Sequence, residues 1–400
     1  MTTSTPTAPP TDRVPARVRA GAGLTVAVLL IALNLRLAVT SVGALMDRLG
    51  EQGVSTATQS VLTSLPVLCF AVIGATALGV TRRLGIHRGL EISLVALALG
   101  LVLRVLDGTP ALILGTLVAC GGIALANVLI PAVVKEHFPD RVGVMTGAYS
   151  GVLSIGSALG AAVTVPIADA AGGWRIGLGD WALVAVAAAV VWAPYCRGRD
   201  HTRSTERGAS LWRNPTAWAV TVLFATQSTY AYVMMSWLPS MYAAAGFSEQ
   251  KSGLLLAISI LIGVPFFMLA PSVAGRIRHQ GHLVAALTAI TAAGFAGVWL
   301  APAEGAWLWA ALLGAGGAVF PVTLSFFGLR TTTAADTAAL STMAQSVGYL
   351  LAASGPFLVG MLHDASGSWS LPCALLVGLG LVQTTAGYFA GRPVTIGGSR

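Results

Sequence analysis

Apolar runs long enough to cross a bilayer recur along almost the whole chain, and no other feature restricts its folding as strongly. A helix needs roughly 20 apolar residues to span about 30 Å of hydrocarbon. Lipid leaves only helices and closed barrels able to satisfy their own backbone. The runs fall near 21–46, 57–80, 89–106, 110–134, 142–168 and 178–195, then near 215–242, 252–274, 283–302, 306–329, 338–362 and 369–390. They predict an all-α, polytopic protein of about twelve transmembrane helices. A soluble reading fails on charge, because only 10% of the residues are Asp, Glu, Lys or Arg where a soluble domain carries about 25%. The first run continues through Met46 with eleven more behind it, so it reads as a retained helix, not a cleaved leader.

The formal net charge is +8, yet the basic residues form no face or stacking platform that would bind nucleic acid. They sit in short loops between runs and set orientation instead. With a cytoplasmic N-terminus, the tail, even-numbered loops and C-terminus hold 18 of the 23 Lys and Arg residues. The other side holds Arg48, Arg175 and Lys251, while Arg36 and Arg104 fall inside helices. The expectation is a multi-pass protein of the cell inner membrane with both termini cytoplasmic. Residues 1–20, rich in Thr and Pro, read as a disordered tail, and 392–400 as a second short tail. Cys69, Cys120, Cys196 and Cys373 have neither zinc nor redox spacing and read as packed thiols. No metal and no cofactor is expected.

The longest polar interruption, 196–214, carries Arg197, Arg199, Arg203, Arg207 and Arg213 and divides the chain into bundles at 21–195 and 215–391. The bundles repeat one another. Gly79, Arg82 and Gly85 recur as Gly275, Arg278 and Gly281, each 196 residues later. Asp140 and Asp336 keep that offset, as do Tyr149 and Gln345. Several coincidences at one offset argue for two homologous six-helix halves.

A 6+6 plan with a basic central loop resembles the major facilitator superfamily. The segment GVTRRLGIHR (79–88) resembles that superfamily's motif between helices two and three, without the usual acidic residue after the first glycine. Within the superfamily, ALNLRLAVTSVGAL (32–45), KEHFPDRVGVMTGAYS (135–150), SWLPSMY (236–242) and LSTMAQSVGYLLAASGPFLVGMLHDASGSW (340–369) resemble the cyanate and 2-nitroimidazole transporter family. The resemblance implies a monomeric, alternating-access transporter with a central cavity and a small-molecule solute. Arg82, Arg83, Asp140, Arg141, Arg278 and Asp336 are then candidates for gating loops.

Arg36 is the most informative single residue. It lies deep in the first run, where an arginine costs at least about 2.5–3.5 kcal/mol and usually faces a watery cavity or a partner. Asp and Glu occur only in loops or near helix ends. A guanidinium without a matched acid would attract an anion, and its planar fork suits a carboxylate; the alternative is that Arg36 holds carbonyls and fixes packing. Arg104, three residues from Asp107, reads as snorkelling or a rim ion pair. Thr40, which shares the Arg36 face, and Asn34, although about 200° away round the helix, are both candidates for contact with the solute. Further candidates for the cavity wall are Asn127 on helix four, Tyr149 on helix five, Gln227 and Tyr230 on one face of helix seven, and Gln345 and Tyr349 on helix eleven. Each has packing as its alternative.

Gly147 and Gly151, and Gly156 and Gly160, provide small-xxx-small spacings for close helix approach. All six histidines fall in loops or at helix edges, so no proton relay is expected in mid-membrane. Glu91, at the start of helix three, is the one candidate coupling acid. HExxH, GxSxG and clustered Asp pairs are absent from the runs, which argues against a membrane-embedded enzyme. The leading expectation is movement of a small anionic solute centred on Arg36, and the alternative is export of neutral or weakly basic compounds.

Overall fold

The computed structural model describes residues 21–196 and 211–396. The expectations for 1–20, for most of the central loop and for the last four residues lie outside the described residues. The helices are α1 (Ala22–Ala44), α2 (Thr56–Leu84), α3 (Ile86–Leu103), α4 (Thr109–His137), α5 (Val142–Ala171) and α6 (Trp174–Gly179 with Trp181–Trp192). The second half contains α7 (Pro215–Ala244), α8 (Glu249–Arg276), α9 (Gly281–Leu300), α10 (Ala306–Gly316 with Val319–Leu329), α11 (Ala334–Ser366) and α12 (Ser370–Ala390). Among the described residues, eleven helical segments are long and apolar enough to cross a membrane. The twelfth, α7, has the length at 30 residues but carries Thr226, Gln227, Ser228 and Thr229 in its middle. Apart from an isolated bridge between Thr331 and Ile396, the described residues contain no β-structure.

The helix ends follow local chemistry that is duplicated between the halves. Ser55 caps α2 by accepting from the Thr58 amide, and Ser248 caps α8 by accepting from the Lys251 amide, each satisfying an orphan donor of a first turn. α5 ends at Gly172 and α11 at Gly367, both with a left-handed backbone (φ 88° and 63°) that glycine adopts without a Cβ penalty. α7 starts on Pro215 behind Asn214, whose Oδ1 accepts from Thr216 and Ala217.

α10 opens at Gly317–Ala318 for an identifiable reason. Pro321 has no amide to donate to the Gly317 carbonyl four residues back. Phe320 donates there instead, and the Ala318 amide turns to Ala315. The Gly314 carbonyl thereby loses its usual i+4 donor.

Small residues set the helix packing. A Cβ on Gly100 or Gly122 would strike the backbone across the α3–α4 seam. On α5, a Cβ at Gly156 would overlap the Leu33 carbonyl and one at Gly160 the Thr40 hydroxyl, both on α1. One turn series earlier, Gly143, Gly147 and Gly151 face α8 of the other half, against Pro271 and Met268. The two glycine pairs read from the sequence therefore serve different partners, one within a half and one between halves.

Arg104 corrects the sequence expectation. It is 1% exposed, and Asp107 pairs with Arg175 at 2.9 Å instead. The Arg104 guanidinium donates to the Ala38 carbonyl (3.0 Å), Ser41 Oγ (3.2 Å) and the Leu178 carbonyl (3.0 Å). It ties α3 to α1 and to the first piece of α6, because burying so large a cation demands several acceptors.

The halves meet on the face where α1 begins and α12 ends, the terminal face. There the α5 glycines lie on α8, Gly74 of α2 faces Ser346 of α11, and the Phe70 and Tyr349 rings pack at 5.1 Å. The segment following α12 belongs to this face as well. Ile396 is buried, its amide bonds the Arg330 carbonyl at 2.6 Å, and Arg330 Nε donates to the Ala390 carbonyl. Ile396 thus anchors the segment, while residues 392–395 between it and α12 are exposed.

Candidate functional site

At mid-depth, between the halves, lies a cavity of about 150 Å³. The first half contributes Arg36 from α1 and Leu153, Ser154 and Ser157 from α5. All six helices of the second half reach the wall, including both sides of the α10 opening at Gly316, Gly317 and Val319. Among the described lining residues there is no Asp, Glu, His or Cys, so the cavity offers no thiolate, imidazole or carboxylate to a metal.

Arg36 is half-buried, and no hydrogen bond or ion pair joins its guanidinium to another described residue. It shares the cavity wall with Tyr232 and Tyr349. Tyr349 is held by Phe224 (5.0 Å, edge-on) as well as Phe70, a packing that fixes the ring. Tyr230 stacks on Phe295 at 5.5 Å and donates to the Leu376 carbonyl at 2.6 Å. Its ring therefore faces the cavity while its hydroxyl is committed elsewhere. Gln227 Nε2 donates to Ser228 Oγ at 2.7 Å. Phe267, Phe320, Met234 and Met235 complete a mostly apolar wall, the usual make-up of a small-molecule site.

Of the residues singled out from the sequence, the structure brings Arg36, Gln227, Tyr230 and Tyr349 together at this cavity. The others lie elsewhere. Asn34 is fully buried on the opposite face of α1, donating to the Leu30 and Val184 carbonyls at 2.8 and 3.3 Å. Thr40 bonds back to the Arg36 and Leu37 carbonyls. Tyr149 is 3% exposed in the core beside Thr146. Asn127 contributes its carbonyl, which accepts from Gln345 Nε2 at 3.1 Å. That contact has a covalent cause: Pro131 lacks the amide that would normally take the Asn127 carbonyl, and Gln345 supplies a donor from the other half.

Arg82, Arg83, Asp140, Arg141 and Arg278 are exposed on the terminal face. Asp336 is buried and completes a reciprocal cap with Thr333, accepting from its hydroxyl at 2.8 Å while its own amide bonds Thr333 Oγ1 at 3.1 Å. Glu91 sits at the start of α3 against the Cys196 thiol, away from the cavity. The sequence reading passed over Gln383, which lines the cavity, donates to Thr288 Oγ1 at 2.9 Å and leaves Oε1 without a partner among the described residues. A lone amide in the apolar run of α12 was the available signal.

Residues 24–356 match the Major Facilitator Superfamily. The chain belongs to that superfamily. It is 38% identical over 371 residues to the 2-nitroimidazole transporter of Escherichia coli (strain K12), covering 91% of this chain and 94% of that one. It is 30% identical over 363 residues to the cyanate transport protein CynX of the same organism, covering 88% and 94%. Among solved structures, the proton:xylose symporter XylE bound to 6-bromo-6-deoxy-D-glucose superposes with a TM-score of 0.74 over 94% of this chain and 97% of that one, at 16% identity. As a member of the superfamily, the chain is a multi-pass membrane transporter of small solutes and not an enzyme.

Proposed function

We propose that this facilitator moves a small organic or inorganic monoanion by alternating access, with Arg36 as the group that selects for charge. One observation carries the reading: a guanidinium enters a mid-depth cavity and makes no hydrogen bond or ion pair with any described residue. Desolvating such a cation is costly unless a ligand neutralises it, so binding an anion recovers what the empty site forgoes. The apolar remainder, with Phe267, Phe295 and Met234, favours a compact guest with a hydrophobic surface over a sugar. The relative that carries cyanate in its name is consistent with an anion.

A second reading is export of a neutral or weakly basic heterocycle. The relative named for 2-nitroimidazole and the aromatic wall favour it. A thermal-shift screen of the purified protein against small anions and heterocycles, repeated with Arg36→Gln, separates the two. A hydrogen bond to a charged group contributes about 1.5–3 kcal/mol, so Arg36→Gln is expected to weaken anion binding roughly ten- to a hundredfold and to leave heterocycle binding unchanged. Hits that are all insensitive to the substitution exclude the anion reading.

A further inference from the structure

Away from the cavity, on the terminal face, three side chains of one half converge. His87 lies in the first turn of α3, and Glu136 and His137 lie in the last turn of α4. The two Nε2 atoms face each other at 2.9 Å, with the rings edge-on at 75°. Glu136 Oε1 is 3.9 Å from His137 Nε2, and one ligand atom from each of the three side chains falls within 4.8 Å of the others. We infer that His87, His137 and Glu136 form a binding site for a divalent transition-metal ion of the zinc, cobalt or nickel class. Histidines 50 residues apart carry no recognisable spacing, so the linear sequence gives no sign of the site.

The geometry suits such an ion. Zinc–nitrogen bonds of about 2.0–2.1 Å at a tetrahedral angle separate two nitrogens by about 3.3 Å, so the rings need part only by a few tenths of an ångström. The two imidazoles are borderline ligands that favour these metals over calcium or magnesium, which take oxygen donors only, and zinc also accepts the carboxylate. The surroundings orient the first ligand. His87 is 8% exposed, its ring stacks on Trp192 at 5.7 Å and 11°, and its backbone carbonyl accepts from Trp192 Nε1 at 3.1 Å and from the Cys196 thiol at 3.4 Å. Glu136 is exposed and supplies the opening through which an ion enters. An ion here joins the start of α3 to the end of α4, one short turn before Gly143 packs on α8. It therefore stiffens the segment that leads into the contact between the halves.

The test is equilibrium dialysis of full-length protein, purified without a histidine tag, against Zn2+ alone. His279 and His282, whose rings lie 5.4 Å apart, form a second pair and are removed in a control carrying His279→Ala and His282→Ala. The expected result is one Zn2+ per chain that persists in this control, is lost in His137→Ala, and weakens at least about tenfold in Glu136→Gln. If His137→Ala does not fold, His137→Gln takes its place, with the melting curve as the check on folding. Loss of binding as the pH is lowered through the range where imidazole protonates is expected with it. A wild type that binds no Zn2+, the pair then being a histidine–histidine hydrogen bond only, overturns the site, and so does binding that survives loss of His137.

Discussion

Two arginines within the same half show how a buried cation can be treated in opposite ways. Arg104 is surrounded by acceptors on three sides, and Arg36 is left facing a void. Arg104→Gln is therefore expected to lower stability by about 1.5–3 kcal/mol whether or not substrate is present. An unchanged unfolding midpoint in ligand-free detergent solution would remove that structural role. A second residue-level expectation concerns Cys196. Burial, and then the nearby Glu91 carboxylate, push its thiol up to about 12. The thiolate is the reactive form and stays scarce below that value, so maleimide labelling of Cys196 is slow from neutral pH to about pH 10. Glu91→Gln removes a negative charge that opposes ionisation and speeds labelling, as mass spectrometry of the peptide would reveal. Faster labelling of the wild type than of Glu91→Gln would contradict the contact.

At the scale of helices, α5 makes the sharpest prediction because its two glycine faces have different partners. Gly156→Ala forces a Cβ into the Leu33 carbonyl of α1, a clash within one half that reduces folded yield. Gly147→Ala forces a Cβ into the Met268 carbonyl of α8, which strains only the contact between halves. It is expected to leave the melting curve nearly intact while raising accessibility at Ser272 and Gly143 to cysteine-scanning reagents. Equal effects of both substitutions on yield would show that the contacts are not separable. Helix existence, order and the duplicated plan were legible in the chain because hydrophobic length is a local property. Which face of each helix turns inward was not. Asn34 and Arg36 are two residues apart, and only the packing of α6 on one side of α1 decides that the first is buried against a neighbour. The opening of α10 could have been suspected from Gly316, Gly317 and Pro321, but its place in the cavity wall depends on helices far away in sequence.

For the whole molecule, the absence of acidic and histidine side chains from the described cavity wall carries an expectation about energy coupling. Histidine is the side chain that titrates without perturbation between about pH 5 and 8, and none is present there. Uptake into proteoliposomes is therefore expected to vary across that range only as the ionisation of the solute itself varies. Substrate-driven proton entry that disappears in Glu91→Gln would refute this and restore Glu91 as a coupling acid. The terminal-face contacts make a separate expectation. Gln345→Leu leaves the Asn127 carbonyl unpaired across the junction of the halves and raises the population of molecules parted there, readable by spin-label distances between α2 and α11.

The unequal ancestry of the cavity wall has an evolutionary corollary. Arg36 and two serines come from one half, whereas the aromatic lining and the gap in α10 come from the other. With Arg36 selecting for charge as proposed, charge preference and guest shape would be encoded in separable stretches of DNA. A chimaera that keeps residues up to 195 and borrows its remainder from a homologue should inherit the donor's size range while retaining the recipient's taste in charge. Recombination near the central loop would then be a short route to new substrates.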